Sequence, residues 1–543
     1  MTIRLLELAT QQHWTDLEKF IGVGQGSPLI TSNIIRHLRE LGARSALIDD
    51  DYIDRDFSEA FSAYYAKTFK RHSKVCRRVL FFSCELTFLS NETVEGAARR
   101  LESANAEFFL GFIVLRPITK APISQAILRP PAAPADYERH LLVRAKYTAH
   151  ILGAELSVES VPMTQQDSRV GACAQASIWV SARHIHAKHR GPWLSTVSIT
   201  DAAIARSESQ VNSTLPAGSE FLTVNNTVAA FRAAGREPLI YAASVDGAGQ
   251  LQWGNSLRPH EIINRYVDSG IPVSVWVRFP QTSIAHSVVV TGQMLAPKAP
   301  AALPHHPTRA EYCSAFLMND DQLGPSLRLP AGPTCAIGDV QHNVKDSTIV
   351  LIIPLPSKVY LPAETAETLA WAMLDRYVVD WASYKVNNAG SLGTSESSGD
   401  SVASNHAANK IVARTYLTYG WKYKHRAIRN NLNANVKQIV RDLDVPRYVY
   451  VTEFSLTSQL DDKKLSDRRI IAHVVVDATA KHHDFESILL FHAPGICLWH
   501  SHGTSNDLVR FVVTTADDEE YFPKTRGDVD FEAFYAKNGH QSH

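Results

Sequence analysis

The chain has 543 residues, enough for about three or four domains of ordinary size. Apolar residues make up 45% and charged residues 20%, which is typical of globular proteins with well-filled cores. Lysine plus arginine balance aspartate plus glutamate at 55 each, so no net charge favours nucleic acid or an anionic membrane as a partner.

The six cysteines indicate a reducing compartment. They are at positions 76, 84, 173, 313, 335 and 497. Because they are scattered and form no CxxC pair, the sequence indicates neither a zinc ribbon nor a disulfide framework. The first residues carry charge within their apolar stretch, unlike a signal peptide, and no apolar run reaches the roughly 18 residues that span a bilayer. We therefore expect a cytoplasmic protein with no membrane association, in which a free thiol survives.

Residues 1–150 are predicted to form a mixed α/β domain, whose role the sequence does not indicate. Helical spacing of isoleucine and leucine predicts a helix over 28–42. Short apolar runs rich in aromatic and β-branched residues, at 79–84 and 108–115, predict buried strands. Residues 127–140 form a Pro/Ala-rich connector.

A second unit is predicted over 151–345, followed by a strand–helix extension over 346–385 with a helix beginning near Ala363. Residues 386–409 are rich in Asn, Gly, Ser and Thr and lack apolar periodicity, which predicts a flexible linker. A mixed α/β C-terminal domain is predicted over 410–543, with strands at 447–452 and 471–477.

The segment 164–180, Thr-Gln-Gln-Asp-Ser-Arg-Val-Gly-Ala-Cys-Ala-Gln-Ala-Ser-Ile-Trp-Val, is the most informative in the chain. Good helix formers follow Cys173, so this cysteine is predicted to lie in the first turn of a helix. Unpaired backbone N–H groups and the helix dipole favour a thiolate there, and a thiolate is a nucleophile. A glutamine just upstream and the Cys173 backbone N–H are candidate oxyanion donors.

A histidine and an acidic turn complete the candidate site. His286 opens an apolar strand, and residues 311–319 form a second strand ending in Asn319-Asp320-Asp321. If 286–294 and 311–319 pair as a hairpin around a Pro/Ala-rich loop at 295–310, residue 294 faces roughly 311 and His286 faces roughly 319 or 320, about 5 Å away. An orienting partner thus lies behind the histidine, where a general base requires one.

This set of residues resembles the papain-like cysteine peptidase superfamily, and most closely the bacterial C39-like peptidases, over about residues 155–330. The resemblance implies an α+β fold in which a central papain-like domain packs its Cys helix on an antiparallel sheet bearing the histidine, flanked by the mixed α/β domains. It implies amide cleavage in a peptide or protein substrate through an acyl-enzyme, with no metal or cofactor. Carried over by motif, Cys173 is the nucleophile, His286 the base and acid, Asp320 the orienting residue and Gln166 the oxyanion donor.

The sequence departs from the family pattern in two places. The family's glutamine usually lies six residues before the cysteine, where this chain has Asp167, whereas Gln166 lies seven before. The interval from His286 to Asp320 is longer than usual. Asn319 and Asp321 therefore remain alternatives for the third residue.

The same sequence features also permit other functions. Acyl transfer or deamidation, as in transglutaminase-like enzymes, uses the same residues. A non-catalytic binding module would keep the fold without turnover. His184, His186 and His189, with His305 and His306, are candidate zinc ligands, but residues two apart on a helix point in different directions, so no metal is assigned there.

Overall fold

The computed structural model describes residues 3–22, 28–90, 92–167, 173–204, 222–247, 249–254, 257–279, 285–387, 393–429, 432–461, 468–481, 483–500 and 509–512. Within these residues the protein is α+β, and its strands pair antiparallel in several sheets. None of the described helices combines the length and the apolar content needed to cross a bilayer.

Residues 3–128 build a five-stranded sheet in sequential order: β1 (Ile3–Glu7), β2 (Ser45–Tyr52), β3 (Cys76–Phe82), β4 (Phe109–Leu115) and β5 (Ile123–Leu128). Four helices cover it: α1 (Gln11–Ile21), α2 (Pro28–Glu40), α3 (Arg55–Ala63) and α4 (Val94–Phe108). Alternate side chains enter separate cores on the two faces, so Leu80 and Phe82 lie in one and Val79 and Phe81 in the other. The predicted helix and both predicted strands are confirmed, with ends displaced by a few residues.

Three short strands lead into the middle of the molecule: β6 (Glu138–His140), β7 (Ala145–Ile151) and β8 (Ala154–Ser160). Strands β7 and β8 form a hairpin whose apolar face, including Leu156 and Val158, joins the core of the first sheet. The boundary predicted between 150 and 151 therefore falls inside this hairpin, and the N-terminal unit continues to about residue 160.

The central sheet has seven strands in the order β15–β14–β13–β12–β16–β9, with β6 paired to β13. Its strands are β9 (Arg236–Ala242), β12 (Val273–Arg278), β13 (Ala285–Leu295), β14 (Cys313–Asp320), β15 (Gly324–Pro330) and β16 (Thr348–Pro356), while β10 (Ser244–Val245) and β11 (Leu251–Gln252) form a separate hairpin. Its helices are α5 (Cys173–His189), α6 (Thr196–Ile204), α7 (Val224–Ala233), α8 (Pro259–Asp268) and α9 (Val344–Ser347). Helix α5 packs against β13, which brings the Cys helix onto the His strand.

The region predicted as a strand–helix extension is part of the central sheet and its core. Strand β16 lies between β12 and β9, so it is an interior strand of that sheet. The following helix, α10 (Ala363–Asn387), begins at the predicted residue and packs against both the central helix α8 and the C-terminal sheet.

The C-terminal sheet is a six-stranded meander: β17 (Ile411–Tyr419), β18 (Tyr448–Leu456), β19 (Ala472–Asp477), β20 (Ile488–Ala493), β21 (Ile496–Trp499) and β22 (Val509–Val512). The helices α12 (Gly420–Arg429) and α13 (Ala434–Asp442) cover one face, and the short α14 (Thr457–Leu460) follows β18. The other face shares one continuous core with α10 and the central sheet. The predicted strands at 447–452 and 471–477 are confirmed as β18 and β19.

The predicted flexible linker contains a helix, α11 (Gly393–Ala407). Tertiary contacts outweigh the weak helix propensity of its Gly, Ser and Thr residues. Gly399 packs directly on Trp381, where an added Cβ would lie 2.0 Å from the indole, and Trp381 Nε1 donates to Asp400 Oδ1 at 2.9 Å. The flexible-linker prediction is therefore wrong at 393–407, and residues 388–392 lie outside the described part of the chain.

Candidate active site

Cys173 is the first residue of α5, as predicted, and is half-buried. Its position places the sulfur at the positive dipole end of a 17-residue helix. Residues 174–185 behind it are all buried, so the helix that carries the thiol is held on all sides. Residues 168–172, which precede Cys173, lie outside the described part of the chain.

His286 lies at the start of β13 with a side chain only 7% exposed. Its Nε2 donates to Asp320 Oδ2 at 3.1 Å and lies 3.6 Å from Asp321 Oδ1. Cys173 lies close enough to the ring to raise the pKa of His286. Phe279 stacks on one side of the ring, with centroids 6.2 Å apart. The structure therefore brings Cys173, His286 and Asp320 together as predicted.

The surroundings of His286 favour the imidazolium form. Burial alone would lower the pKa of His286, but its hydrogen bond with Asp320, the nearby Cys173 and the two nearby carboxylates raise it to about 11. The ring is therefore charged at neutral pH. An imidazolium next to a thiol at a helix N-terminus is the arrangement that stabilises a thiolate.

Asp320 is the candidate orienting residue, and both oxygens of its carboxylate accept hydrogen bonds. Oδ1 accepts the backbone N–H groups of Gln322 and Leu323 at 2.8 and 3.0 Å, while Oδ2 faces His286. Burial alone would raise the pKa of Asp320, but these hydrogen bonds and the imidazolium charge lower it.

The two alternatives for the third residue are placed differently. Asn319 turns away from the histidine: its Nδ2 donates to Pro162 O at 2.9 Å and its Oδ1 accepts Ser326 N–H at 2.9 Å. The carboxylate oxygens of Asp321 are buried and accept no hydrogen bond from the described residues. Burial raises the pKa of Asp321 to about 7.

The predicted β13–β14 hairpin is confirmed, but its register is wrong. Met294 faces Ala315 and Val289 faces Asn319, because β13 and β14 carry two irregularities and residues Arg309–Tyr312 form a 3-10 helix rather than strand. His286 nevertheless reaches Asp320. Next to the Val289–Asn319 pair, Val288 lies roughly opposite Asp320, and His286 is two residues away from Val288 on the same face of the strand. Such diagonal neighbours lie within reach of a long side chain.

Gln166, the predicted oxyanion donor, lies beside the acidic turn. Its backbone N–H donates to Asp321 O at 3.4 Å, and its Oε1 accepts from Gln322 Nε2 at 3.4 Å. Gln165 is committed elsewhere, because its Oε1 accepts Ile123 N–H at 3.1 Å. Asp167, at the position where the family has its glutamine, accepts a hydrogen bond from Tyr65 OH. Gln166 is thus the glutamine of this segment that lies next to Asp321.

A serine network, which the sequence did not predict, joins helix α5 to strand β13. Ser177 lies one turn after Cys173, and its Oγ is 2.8 Å from Oγ of Ser287, the residue after His286. Ser274 on β12 extends the network, with Oγ 3.2 Å from that of Ser287. All three serines are buried. The sequence signal that could have revealed this network is serine at core positions of a helix and two strands that are otherwise apolar.

A cleft with about 480 Å³ of open space lies between the N-terminal unit and the Cys helix. Its walls come from α3, from the 164–167 segment and from the second turn of α5, and include Asp56, Phe57, Arg116, Gln166, Ala176 and Trp179. Asp56 accepts from Trp179 Nε1 at 3.0 Å and from Arg183 at 2.7 and 2.8 Å. The N-terminal unit therefore forms one wall of the cleft that begins one turn from Cys173.

The other cysteines and the histidines of helix α5 differ from Cys173 and His286. Burial raises the pKa of the Cys76 and Cys497 thiols to about 12, and it also raises the pKa of Cys313 and Cys84. The zinc candidates on α5 do not converge: His184 is fully buried, whereas His186 Nδ1 bonds Gly191 O at 2.8 Å.

Two groups of metal-ligand type occur among the described residues. One is His286, Asp320 and Asp321 in the candidate site, and the other is His306, Asp375 and His406 at a distinct place. In the first group the hydrogen bonds already described account for His286 and Asp320, and we assign them to the thiol site.

No protein-family model matches the chain, and no curated protein sequence matches it.

Proposed function

We propose that the protein is a papain-like cysteine hydrolase that cleaves an amide bond in a peptide or protein. The observation that carries this proposal is the His286–Asp320 hydrogen bond, with Cys173 next to the ring at a helix N-terminus. A Cys helix packed on an antiparallel sheet that bears the histidine is consistent with that fold.

The residues have the following roles in this mechanism. The Cys173 thiolate attacks the substrate carbonyl carbon, and the resulting oxyanion is stabilised by the Cys173 N–H and the Gln166 side-chain amide. The His286 imidazolium then gives its proton to the leaving nitrogen, the C–N bond breaks, and an acyl-enzyme remains. His286, now neutral, takes a proton from water, whose oxygen attacks the thioester and releases the carboxylic acid and the thiolate.

The two ring nitrogens of His286 have different partners in this mechanism. Asp320 binds Nε2. Because Nε2 is occupied by Asp320, Nδ1 is assigned to Cys173. Asp320 stabilises the imidazolium and fixes the ring plane, as an orienting carboxylate does in other nucleophile–histidine pairs.

A non-catalytic binding module is the second candidate. It is favoured by the 7% exposure of the His286 side chain and by the stacking of Phe279 on the ring, since a base that packs under an aromatic ring has restricted access to substrate.

Alkylation with a substoichiometric haloacetamide at pH 7, followed by mass spectrometry of all six cysteines, tests the proposal. We expect Cys173 to react first and His286→Ala to slow its alkylation, because the stabilising imidazolium is lost. Cys335→Ala, which removes another half-buried thiol, is the matched control and should change nothing.

Turnover is then assayed on a mixture of unstructured peptides, with cleavage products read by mass spectrometry. The folded wild type should cleave and Cys173→Ala should not. Equal cleavage by both proteins contradicts the thiol mechanism, whereas peptide binding without cleavage by either one supports the binding module.

A further inference from the structure

A second convergent cluster lies away from the thiol site. His306 is in the loop between β13 and β14, Asp375 is on α10, and His406 is in the last turn of α11; their ligand atoms all lie within 4.8 Å of one another. Asp375 Oδ1 accepts from His406 Nε2 at 2.7 Å and lies 3.3 Å from His306 Nε2. The three side chains are between 24% and 38% exposed, so an ion from solvent can reach them.

We propose that His306, Asp375 and His406 form a Zn²⁺ site that fastens α11 to α10 and to the β13–β14 loop. Two imidazole nitrogens and one carboxylate oxygen are a ligand set that zinc accepts, at about 2.0–2.2 Å from each atom. Ligand atoms on a tetrahedral ion at that range lie roughly 3.4 Å apart. The observed separations of 2.7 and 3.3 Å need only a small opening of the cluster.

The ligands are held in place before any ion binds. The Trp371 indole stacks on the His306 ring, with centroids 4.4 Å apart and planes inclined by 14°. Asn409 Nδ2 donates to Leu303 O and Pro304 O at 2.9 and 2.7 Å, just before His306. Ala413 N–H donates to Pro307 O at 2.9 Å, just after it. Such support of a ligand by its surroundings favours metal binding over rearrangement.

The His305 ring lies 3.9 Å from that of His306 but is not one of the converging ligands, so water is left to complete the coordination.

A zinc ion here would have a structural role. Helix α11 consists largely of weak helix formers. Its described anchors include Val402 in the core, Gly399 and Asp400 against Trp381, and His406 against Asp375. A metal bond at the last turn would fix the end of α11 that leads into β17. None of its ligands belongs to the thiol site, so binding of the ion does not depend on the proposed hydrolase function.

Metal binding is measured on full-length, chelator-treated Cys173→Ala protein, in which the active-site thiol cannot capture zinc. Titration calorimetry with ZnCl2 should give one equivalent of tightly bound ion, and Co²⁺ should give the visible absorption of a tetrahedral site. His406→Ala and Asp375→Asn should each weaken zinc binding by about 100-fold or more, exceeding the 10–100-fold cost of losing a mere supporting residue. His150→Ala, at an exposed histidine on β7, should leave binding unchanged.

Two further arms separate the alternatives. His406→Cys should restore zinc binding, because a thiolate is a zinc ligand but a poor substitute for a purely hydrogen-bonding imidazole. Zinc should raise the melting temperature of the Cys173→Ala parent and not that of His406→Ala, with circular dichroism in EDTA showing that both are folded. Absence of stoichiometric binding, or binding that His286→Ala abolishes and His406→Ala spares, would overturn the proposal.

Discussion

Two neighbouring carboxylates, Asp320 and Asp321, are equally buried and yet have opposite properties. Asp320 accepts two backbone N–H groups and the His286 ring, so its pKa is lowered. Asp321 accepts no hydrogen bond from the described residues, and burial raises its pKa to about 7. Different environments thus give the adjacent residues different roles, as in enzymes whose paired carboxylates divide acid and base chemistry.

Asp320→Ala should lower turnover by about 10- to 1,000-fold, less than the loss of Cys173, because nucleophile and base remain but the ring is free to rotate. It should also move the alkaline limb of the pH–rate profile, set by the His286 pKa of about 11, to lower pH, since the hydrogen bond that raises this pKa is gone. Rates from pH 6 to 11 measure both effects. A larger loss in Asp321→Ala, at equal melting temperature, would transfer the orienting role to Asp321.

Asp321→Asn should stabilise the protein at pH 8. The pKa of Asp321 rises from 3.8 to about 7 on folding, so the carboxyl favours folding when protonated, and this contribution is lost as the pH rises through that window. Asparagine stays neutral, so we expect a gain of at least about 1 kcal/mol at pH 8 and none near pH 4. Urea unfolding of both proteins at the two pH values tests this, and a gain that does not change with pH contradicts the charge argument.

At the scale of elements, strongly patterned segments were predictable and pairing details were not. The apolar runs that form β3, β4, β16, β18 and β19 predict buried strands from their own residues, without knowledge of the neighbouring elements. The hairpin register depended on bulges at Val290–Gly292 and Met294–Leu295. Gly292 is a residue type that often marks a bulge, whereas nothing at 294–295 signals the second one. Helix α11 depends on a tryptophan in another helix, so local composition predicted a linker.

The three site residues were found because their chemistry and spacing are local, whereas the supporting residues depend on tertiary contacts. Cys173, His286 and Asp320 follow from a helix start, a strand start and a hairpin end. Ser177, Ser274 and Ser287 are ordinary in sequence and become a network only when α5 packs on β12 and β13. Their role therefore had to come from the structure.

Ser287→Ala should loosen the contact between the Cys helix and the His strand. It leaves the Ser177 and Ser274 hydroxyls without this partner in a buried place, which costs roughly 1–3 kcal/mol. Turnover should fall as well, because the Cys173–His286 distance depends on this packing. Denaturant unfolding and peptide cleavage measure the two effects, with exposed Ser103→Ala on α4 as the control; unchanged stability and turnover would show that the network is dispensable.

For the whole molecule, one buried carboxylate connects three parts of the chain. Asp268, at the end of α8, accepts from His140 Nδ1 on β6 at 2.9 Å and from Arg414 Nε on β17 at 2.7 Å. Gln293 Nε2 on β13 donates to it at 2.9 Å. The Asp268 carboxylate is therefore contacted from three sides: by strand β6, which follows the N-terminal sheet, by the central sheet and by the C-terminal sheet. Together with the continuous core through α10, this predicts that the central and C-terminal sheets unfold together.

Asp268→Asn should destabilise the protein by about 3–5 kcal/mol, because it leaves the Arg414 guanidinium buried without its nearest counter-ion. Burial alone would raise the pKa of Asp268, but Arg414 and His140 lower it below 3.8. Its contribution is therefore present above the unfolded-state pKa and is lost as the pH falls through the folded-state value. Calorimetric melts of wild type and variant should differ most near pH 7 and converge in acid.

A surface control, Asp442→Asn, removes an exposed pair with Arg441 and should leave the melts unchanged. Two separate transitions in the wild type, or a variant whose deficit grows in acid, would contradict the view that this carboxylate couples the sheets.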